Sequence, residues 1–163
     1  MAKWQSGPAP AVSELGNVSA AVEKGAGISR AQLLAMPAFS YMNDVQLGFF
    51  KRLLLDLKRQ TGEHIETIKQ EIAVPLTEAD ELDRAIAEEE NRQRMRIAER
   101  EYFLLRKIDK ALDRIERKDY GYCDASGVEI GLERLLARPT TEYSTEEKAR
   151  QEELERNFSK HRI

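Results

Sequence analysis

Thiols are almost absent from this chain. Cys123 is the single cysteine among 163 residues, so no internal disulfide can staple the fold. No apolar run approaches the roughly 18 residues that read as a membrane span, and no charged-then-apolar leader is present. A soluble cytoplasmic protein without membrane contacts is the expectation. An excess of basic charge is missing too: 26 Lys and Arg stand against 29 Asp and Glu, a formal net charge of −3. General affinity for a phosphate backbone rests mostly on Lys and Arg. Neither a homeodomain-like nor a zinc-finger DNA-binding pattern is found, so direct sequence-specific DNA binding is not expected. A Gly-rich phosphate loop and a nucleophile–base set are also wanting, which argues against an independent enzyme. Hydrophobic residues make up 41% and charged residues 34%, slightly apolar-poor for a compact globule. The length suits one domain, or one domain with an extension.

What the chain does have is helix, in two long runs on either side of Ala73–Glu90 (AVPLTEADELDRAIAEEE). These runs last roughly thirty and forty residues, against the usual dozen or so. Pro75 stops the first, because its ring clashes with the preceding turn and it has no N–H, and Val74 is pushed toward extended geometry. Thr77 offers an N-cap hydroxyl to the second, with Asp80 at N3 and acids through the first turn. The stretch reads as the tip, near 74–85, of a long antiparallel hairpin spanning 41–118.

Asn43 and Asp44 open the first long helix. Leu47, Phe50, Leu54, Leu57, Thr61, His64 and Ile68 then alternate at spacings of 3 and 4, a coiled-coil seam. The second helix continues it at Ile86, Glu90, Gln93, Ile97, Glu101, Leu104, Ile108, Ala111 and Ile115. Folding about position 77 pairs Leu47 with Ile108, Phe50 with Leu104, Leu57 with Ile97 and Ile68 with Ile86. It also sets Thr61 and His64 against Gln93 and Glu90. In that polar layer His64 and Glu90 are expected to hydrogen bond, a device that lowers stability but can fix register. His64 reads as a partly solvated seam histidine, not a metal ligand.

Residues 1–40 are rich in Ala, Gly, Ser and Pro and read as a flexible segment. Within it Ser29–Met36 can form a short helix, capped by Ser29 and ended by Pro37, that docks through Leu33 and Leu34. The second long helix should end near Lys118 or Asp119, with Gly121 as breaker. Residues 119–144 form a compact segment, and 145–163 a charged C-terminal helix with few apolar anchors (Ala149, Leu154, Phe158). The fold class is therefore mainly α: a long coiled-coil hairpin, a small globular segment and a C-terminal helix.

The segment GYCDASGVEIGLERLLARPTTEY closely resembles the globular-domain signature of the DksA/TraR family, bacterial transcription factors that bind RNA polymerase rather than DNA. YMNDVQL at Tyr41–Leu47 and the tip run DELDRAIAEEE match the family as well, so the resemblance covers about Tyr41 to Lys148. It implies a zinc-finger-like globular segment. In typical members two C-x2-C pairs hold the metal; here those positions carry Cys123, Ser126, Ser144 and Glu147. One thiolate, two hydroxyls and one carboxylate make a poor zinc set. A degenerate finger that requires no zinc is expected. An S-x-x-E capping box at Ser144–Glu147 and the packing of Tyr120, Tyr122, Ile130, Leu132 and Tyr143 would hold it instead.

For the tip, the residues leave two meanings open. Asp80 can cap and pair with Arg84 while Asp83 complements the helix dipole. The resemblance instead makes Asp80, Asp83, Arg84 and Ala85 functional tip residues that enter the secondary channel of RNA polymerase and alter open-complex stability, as at ribosomal RNA promoters in the stringent response. It further implies that Arg100, Leu104, Lys107, Arg138 and Lys148 bind ppGpp, four of them cations suited to phosphate oxygens. TraR-like members act without ppGpp. The expected partners are RNA polymerase and ppGpp, with the protein a monomer. A Gre-like factor using Asp80 and Asp83 to hold Mg²⁺ for transcript cleavage is the alternative from enzymatic chemistry; a helical adaptor is a third.

Overall fold

The computed structural model describes residues 28–73 and 80–160, with side chains through Asn157. The Pro75 stop, the Thr77 cap, residues 1–27 and the Phe158 anchor lie outside that description. In chain order the helices are α1 (Arg30–Leu34), a 3-10 turn (Ala38–Ser40), α2 (Asp44–Ile72), α3 (Glu81–Glu116), α4 (Leu132–Ala137) and α5 (Thr145–Lys160). The fold is the expected one, a mainly α chain built on a long antiparallel hairpin of α2 and α3.

Local sequence chemistry starts each helix. Ser29 caps α1 with a complete capping box to Gln32. Leu33 is fully buried while Leu34 stays exposed, so one of the two expected anchors docks. Asn43 caps α2 by accepting the Gln46 N–H. Gln46 is itself buried, and its Oε1 accepts the N–H of Met42, whose backbone turns through a positive φ of 52°. At the far end of α3 the left-handed residue is Lys118, with φ 63°, one step beyond the Arg117 cap. Gly121, expected as the breaker, serves a later turn: its φ is 95° and a Cβ there would meet the Met42 side chain at 2.5 Å.

The hydrophobic core sits at the base of the hairpin. Leu33, Phe50, Leu54, Ile108, Tyr120 and Leu135 are its most buried members, drawn from α1, α2, α3, the post-hairpin segment and α4. Phe50 packs its ring on Tyr120 at 5.4 Å and on Phe49 edge to face. Each such side chain contributes on the order of 1.5–3 kcal/mol by leaving water. Toward the tip the hairpin thins to its seam alone.

That seam runs in a register different from the expected one. Cross-helix ion pairs mark it: Lys51 meets Glu116 at 3.6 Å and Lys58 meets Asp109 at 2.6 Å, seven residues on along α2 and seven back along α3. His64–Glu101 and Glu71–Arg94, each at 3.2 Å, repeat the seven-residue step nearer the tip. His64 thus faces Glu101, not Glu90, which pairs with Arg94 on its own helix. The expected pairs Leu47–Ile108, Phe50–Leu104, Leu57–Ile97, Thr61–Gln93 and Ile68–Ile86 do not form, because α3 is displaced along α2.

The buried positions change with it. In α2 they run Leu57, Thr61, Ile65, Ile68, so Ile65 takes the seam place expected for His64, which is exposed. The steps 4, 4, 3 make an eleven-residue repeat, which locally unwinds a coiled coil. In the tip half of α3 the more sheltered residues are Ala98, Arg94, Asn91 and Ala87, each one place after the expected Ile97, Gln93, Glu90 and Ile86. Thr61 is the buried polar member of the seam, its hydroxyl donating to the Leu57 carbonyl at 2.8 Å.

Candidate functional site: hairpin tip and basal lobe

Asp80 is the N-cap of α3, not its third residue. Its carboxylate accepts the Asp83 N–H at 2.9 Å, with Glu81 and Asp83 in the first turn where the helix dipole favours acids. Capping by Asp80 is therefore real, while its pairing with Arg84 is not: among the described residues no ion pair joins them, and Arg84 meets Asp80 only through the backbone. Asp80, Asp83, Arg84 and Ala85 are all exposed. Among the described residues Glu71–Arg94 is the cross-helix pair nearest the tip, so the first ten or so residues of α3, about 15 Å of helix, run past Ala73, the last residue described before the tip. Asp83 and Ala85 lie exposed in that part of α3. Asp80 and Asp83 offer carboxylates to an incoming cation, but their juxtaposition here is that of a capped helix start.

Of the phosphate-binding candidates, Arg100, Leu104 and Lys107 follow at spacings of 4 and 3 and so lie along one face of α3. Arg100 and Lys107 are exposed and make no ion pair among the described residues. Arg138 ends α4 as its C-cap, and Lys148 in α5 holds Glu152 at 3.8 Å. The loop joining these two is tied back to α3 by Lys110, whose Nζ donates to Glu142 at 2.7 Å, one turn beyond Lys107. The structure thereby brings the loop between Arg138 and Lys148 to the α3 face that carries Lys107.

The basal lobe is held by hydrogen bonds. A tight hairpin turns at Cys123–Val128, with Cys123 N–H donating to the Val128 carbonyl at 2.7 Å and Ile130 N–H to the Gly121 carbonyl at 2.8 Å. Tyr41 stands outside it and clamps it: its hydroxyl donates to the Gly121 carbonyl at 2.7 Å and accepts the Gly131 N–H at 3.1 Å. Buried Tyr120 donates to the Pro139 carbonyl at 2.7 Å, and burial raises its pKa. Arg114 donates to the carbonyls of Asp119 and Tyr122. The Tyr41 and Tyr120 ties did not stand out from residue spacing, since each joins a side chain to a backbone group far away in sequence.

Cys123 and Ser126 lie together with the Ser144 backbone. Burial acts to raise the Cys123 pKa, but the Ser126 hydroxyl and the N–H groups of Ser144, Ser126 and Ala125 outweigh it and bring the thiol down to about 7. Ser144 accepts the Glu147 N–H at 3.3 Å, half of the expected capping box. The reciprocal half, from the Ser144 N–H to the Glu147 carboxylate, does not form among the described residues. Glu147 reaches Arg150 at 3.7 Å instead. One thiol, two hydroxyls and an engaged carboxylate do not fit a tetrahedral zinc, and among the described residues no three His, Cys, Asp or Glu side chains are grouped to hold a metal. Beside this lobe a cleft of about 520 Å³ is lined by Lys110, Arg114 and Arg117 but also by Asp113, Asp119 and Asp124, a mixed-charge surface.

Comparison with known proteins places these parts. Residues 46–115 match the family model described as DnaK suppressor protein DksA, N-terminal domain, and residues 118–153 match the prokaryotic dksA/traR C4-type zinc finger. The RNA polymerase-binding transcription factor DksA of Caulobacter vibrioides is 40% identical over 120 residues, covering 71% of this chain and 82% of that protein. Its namesake in Salmonella typhimurium is 41% identical over 109 residues, 65% of this chain and 71% of that protein. The solved structure of transcription factor DksA2 from Pseudomonas aeruginosa superposes with a TM-score of 0.72 at 43% identity, covering 78% of this chain and 99% of that one. Among the described residues no helix is long and apolar enough to cross a membrane.

Proposed function

The chain belongs to the DksA/TraR family, and from that premise we propose that it is a non-enzymatic regulator of transcription initiation. It binds RNA polymerase through the secondary channel in the cytoplasm, as a monomer, and makes no sequence-specific contact with DNA. The observation that carries this reading is the exposure of Asp83 and Ala85 in the first turns of α3, far along the hairpin from its buried base. A long hairpin with exposed acids at the start of its second helix suits entry into a channel. There a desolvated carboxylate paired with a cation of the polymerase has large leverage on promoter-complex lifetime. Arg100, Leu104, Lys107, Arg138 and Lys148 bind ppGpp at the junction with the polymerase. The basal lobe does this work without zinc.

Asp80→Asn separates the two uses of the tip. Asn caps a helix about as well as Asp, so the helix start persists while the charge is lost. In transcription from a ribosomal RNA promoter with purified polymerase, the variant is expected to keep polymerase binding and lose most of the promoter inhibition. Equal inhibition by variant and parent would overturn the tip assignment. Running the same reactions with and without ppGpp, and with Lys107→Ala, tests the nucleotide site: ppGpp is expected to enhance the parent's effect and not the variant's.

A further inference from the structure

The register found in the hairpin frees two large apolar side chains. Ile86, whose spacing suggested a seam partner for Ile68, is 51% exposed, and Leu82 one turn earlier is 69% exposed. Ala87 takes the sheltered place instead. Both residues belong to the part of α3 that runs past Glu71–Arg94, the cross-helix pair nearest the tip among the described residues. At four residues apart they are neighbours on one helix face. About 3.6 residues per turn set Asp83 on one flank of the pair and Ala85 on the other. An apolar pair left this exposed contributes little to the described hairpin, and adjacent exposed apolar side chains rimmed by charge mark interaction sites.

We infer that Leu82 and Ile86 are the anchor that seats the tip in RNA polymerase, filling an apolar slot whose rim is cationic. This inference rests on the polymerase-binding reading above. The sign of the rim follows from this segment's own charge: Asp80, Glu81, Asp83, Glu88, Glu89 and Glu90 lie within eleven residues that hold a single cation, Arg84. Glu89 and Glu90 are engaged by Arg92 and Arg94, but Glu81, Asp83 and Glu88 make no ion pair among the described residues. The helix therefore offers an apolar centre edged by free carboxylates. That is the anatomy of a binding hot spot, where the apolar pair supplies affinity and the charges orient the approach. Asp83 would then be held in place by its neighbours, with Leu82 and Ile86 as positioning residues.

The test uses the full chain and purified core polymerase, with affinity read by competition against a fluorescently labelled parent. In Leu82→Gln/Ile86→Gln, Gln keeps helix propensity close to that of Leu, so circular dichroism and melting temperature should match the parent. The affinity is expected to fall by at least about tenfold, as losing two buried apolar side chains from an interface implies. Met95→Gln, an exposed apolar residue on another face of α3, is the control and should bind as the parent does. Unchanged affinity in the double variant, or an equal loss in Met95→Gln, would overturn the anchor while leaving polymerase binding intact. A parent that failed to bind polymerase would overturn both.

Discussion

His64 Nδ1 lies 3.2 Å from Oε1 of Glu101 across the hairpin, and that relationship fixes the register of α3 against α2. Glu101 stands eleven residues beyond Glu90, the partner that a symmetric fold about position 77 would supply. The side chains are half-exposed and sheltered respectively, so their coupling is modest, about 0.2–1 kcal/mol. A double-mutant cycle on His64→Ala and Glu101→Ala, measured by urea unfolding, is expected to show coupling in that range. The same cycle with Glu90→Ala should show none. Coupling to Glu90 in place of Glu101 would mean that the register is the shorter one.

The hairpin itself was legible in the sequence because apolar residues recur at 3 and 4 over two long runs, and Asn43 and Ser29 announced their caps. Its register was not. At Thr61 strict alternation selects His64, but the helix steps by four to Ile65, and a continuous sequence offers both. Ile86 and Ile97 looked like seam residues for the same reason, since a neighbouring stripe carried the bulkier side chains while the seam took Ala87 and Ala98. Of the candidate site, the tip residues are visible as a motif and capping by Asp80 was one of their two readings, although the other, with Thr77 as the cap, put Asp80 three residues into the helix. The Tyr41 clamp joins groups some eighty and ninety residues apart in sequence, and no local pattern encodes it.

Tyr41→Phe should loosen the basal lobe and leave the hairpin helical. The substitution removes the donor to Gly121 and the acceptor for Gly131, leaving both backbone groups to find water. A cost of about 1–3 kcal/mol is expected. Native-state hydrogen exchange would show it as faster exchange of the Gly131 amide, with the amides of α2 near Leu54 less affected. Uniform acceleration throughout would point to global unfolding instead of a lobe clamp.

Chelators should leave the fold unchanged. A C4-type finger is named for four thiolates, and this chain has one. The lobe is tied by the Tyr120–Pro139 bond, the Tyr41 clamp and Arg134, whose Nε donates to the Tyr143 carbonyl at 3.1 Å, none of which calls on a metal. Overnight EDTA followed by dialysis is expected to alter neither helicity nor melting temperature, and added zinc should shift neither. Loss of the near-ultraviolet signal of the tyrosines on chelation, restored by zinc, would show that the donor set binds metal after all.

Stability should rise with pH across the titration of Cys123. In the folded chain this thiol sits near 7, and in the unfolded chain it returns to its ordinary value of 9.0. Between these values the unfolded state holds the proton and the folded state does not, so raising the pH favours folding. The contribution is complete above about 9 and is lost as pH falls through about 7. Cys123→Ser removes the titrating group and keeps a hydrogen-bonding atom of similar size beside Ser126 and the Ser144 N–H. Urea midpoints taken at about pH 6 and about pH 9 should therefore separate further in the parent than in the variant. The same separation in both would assign the pH dependence to other groups, and a parent that was less stable at the higher pH would show that the backbone donors around Cys123 do not stabilise its thiolate.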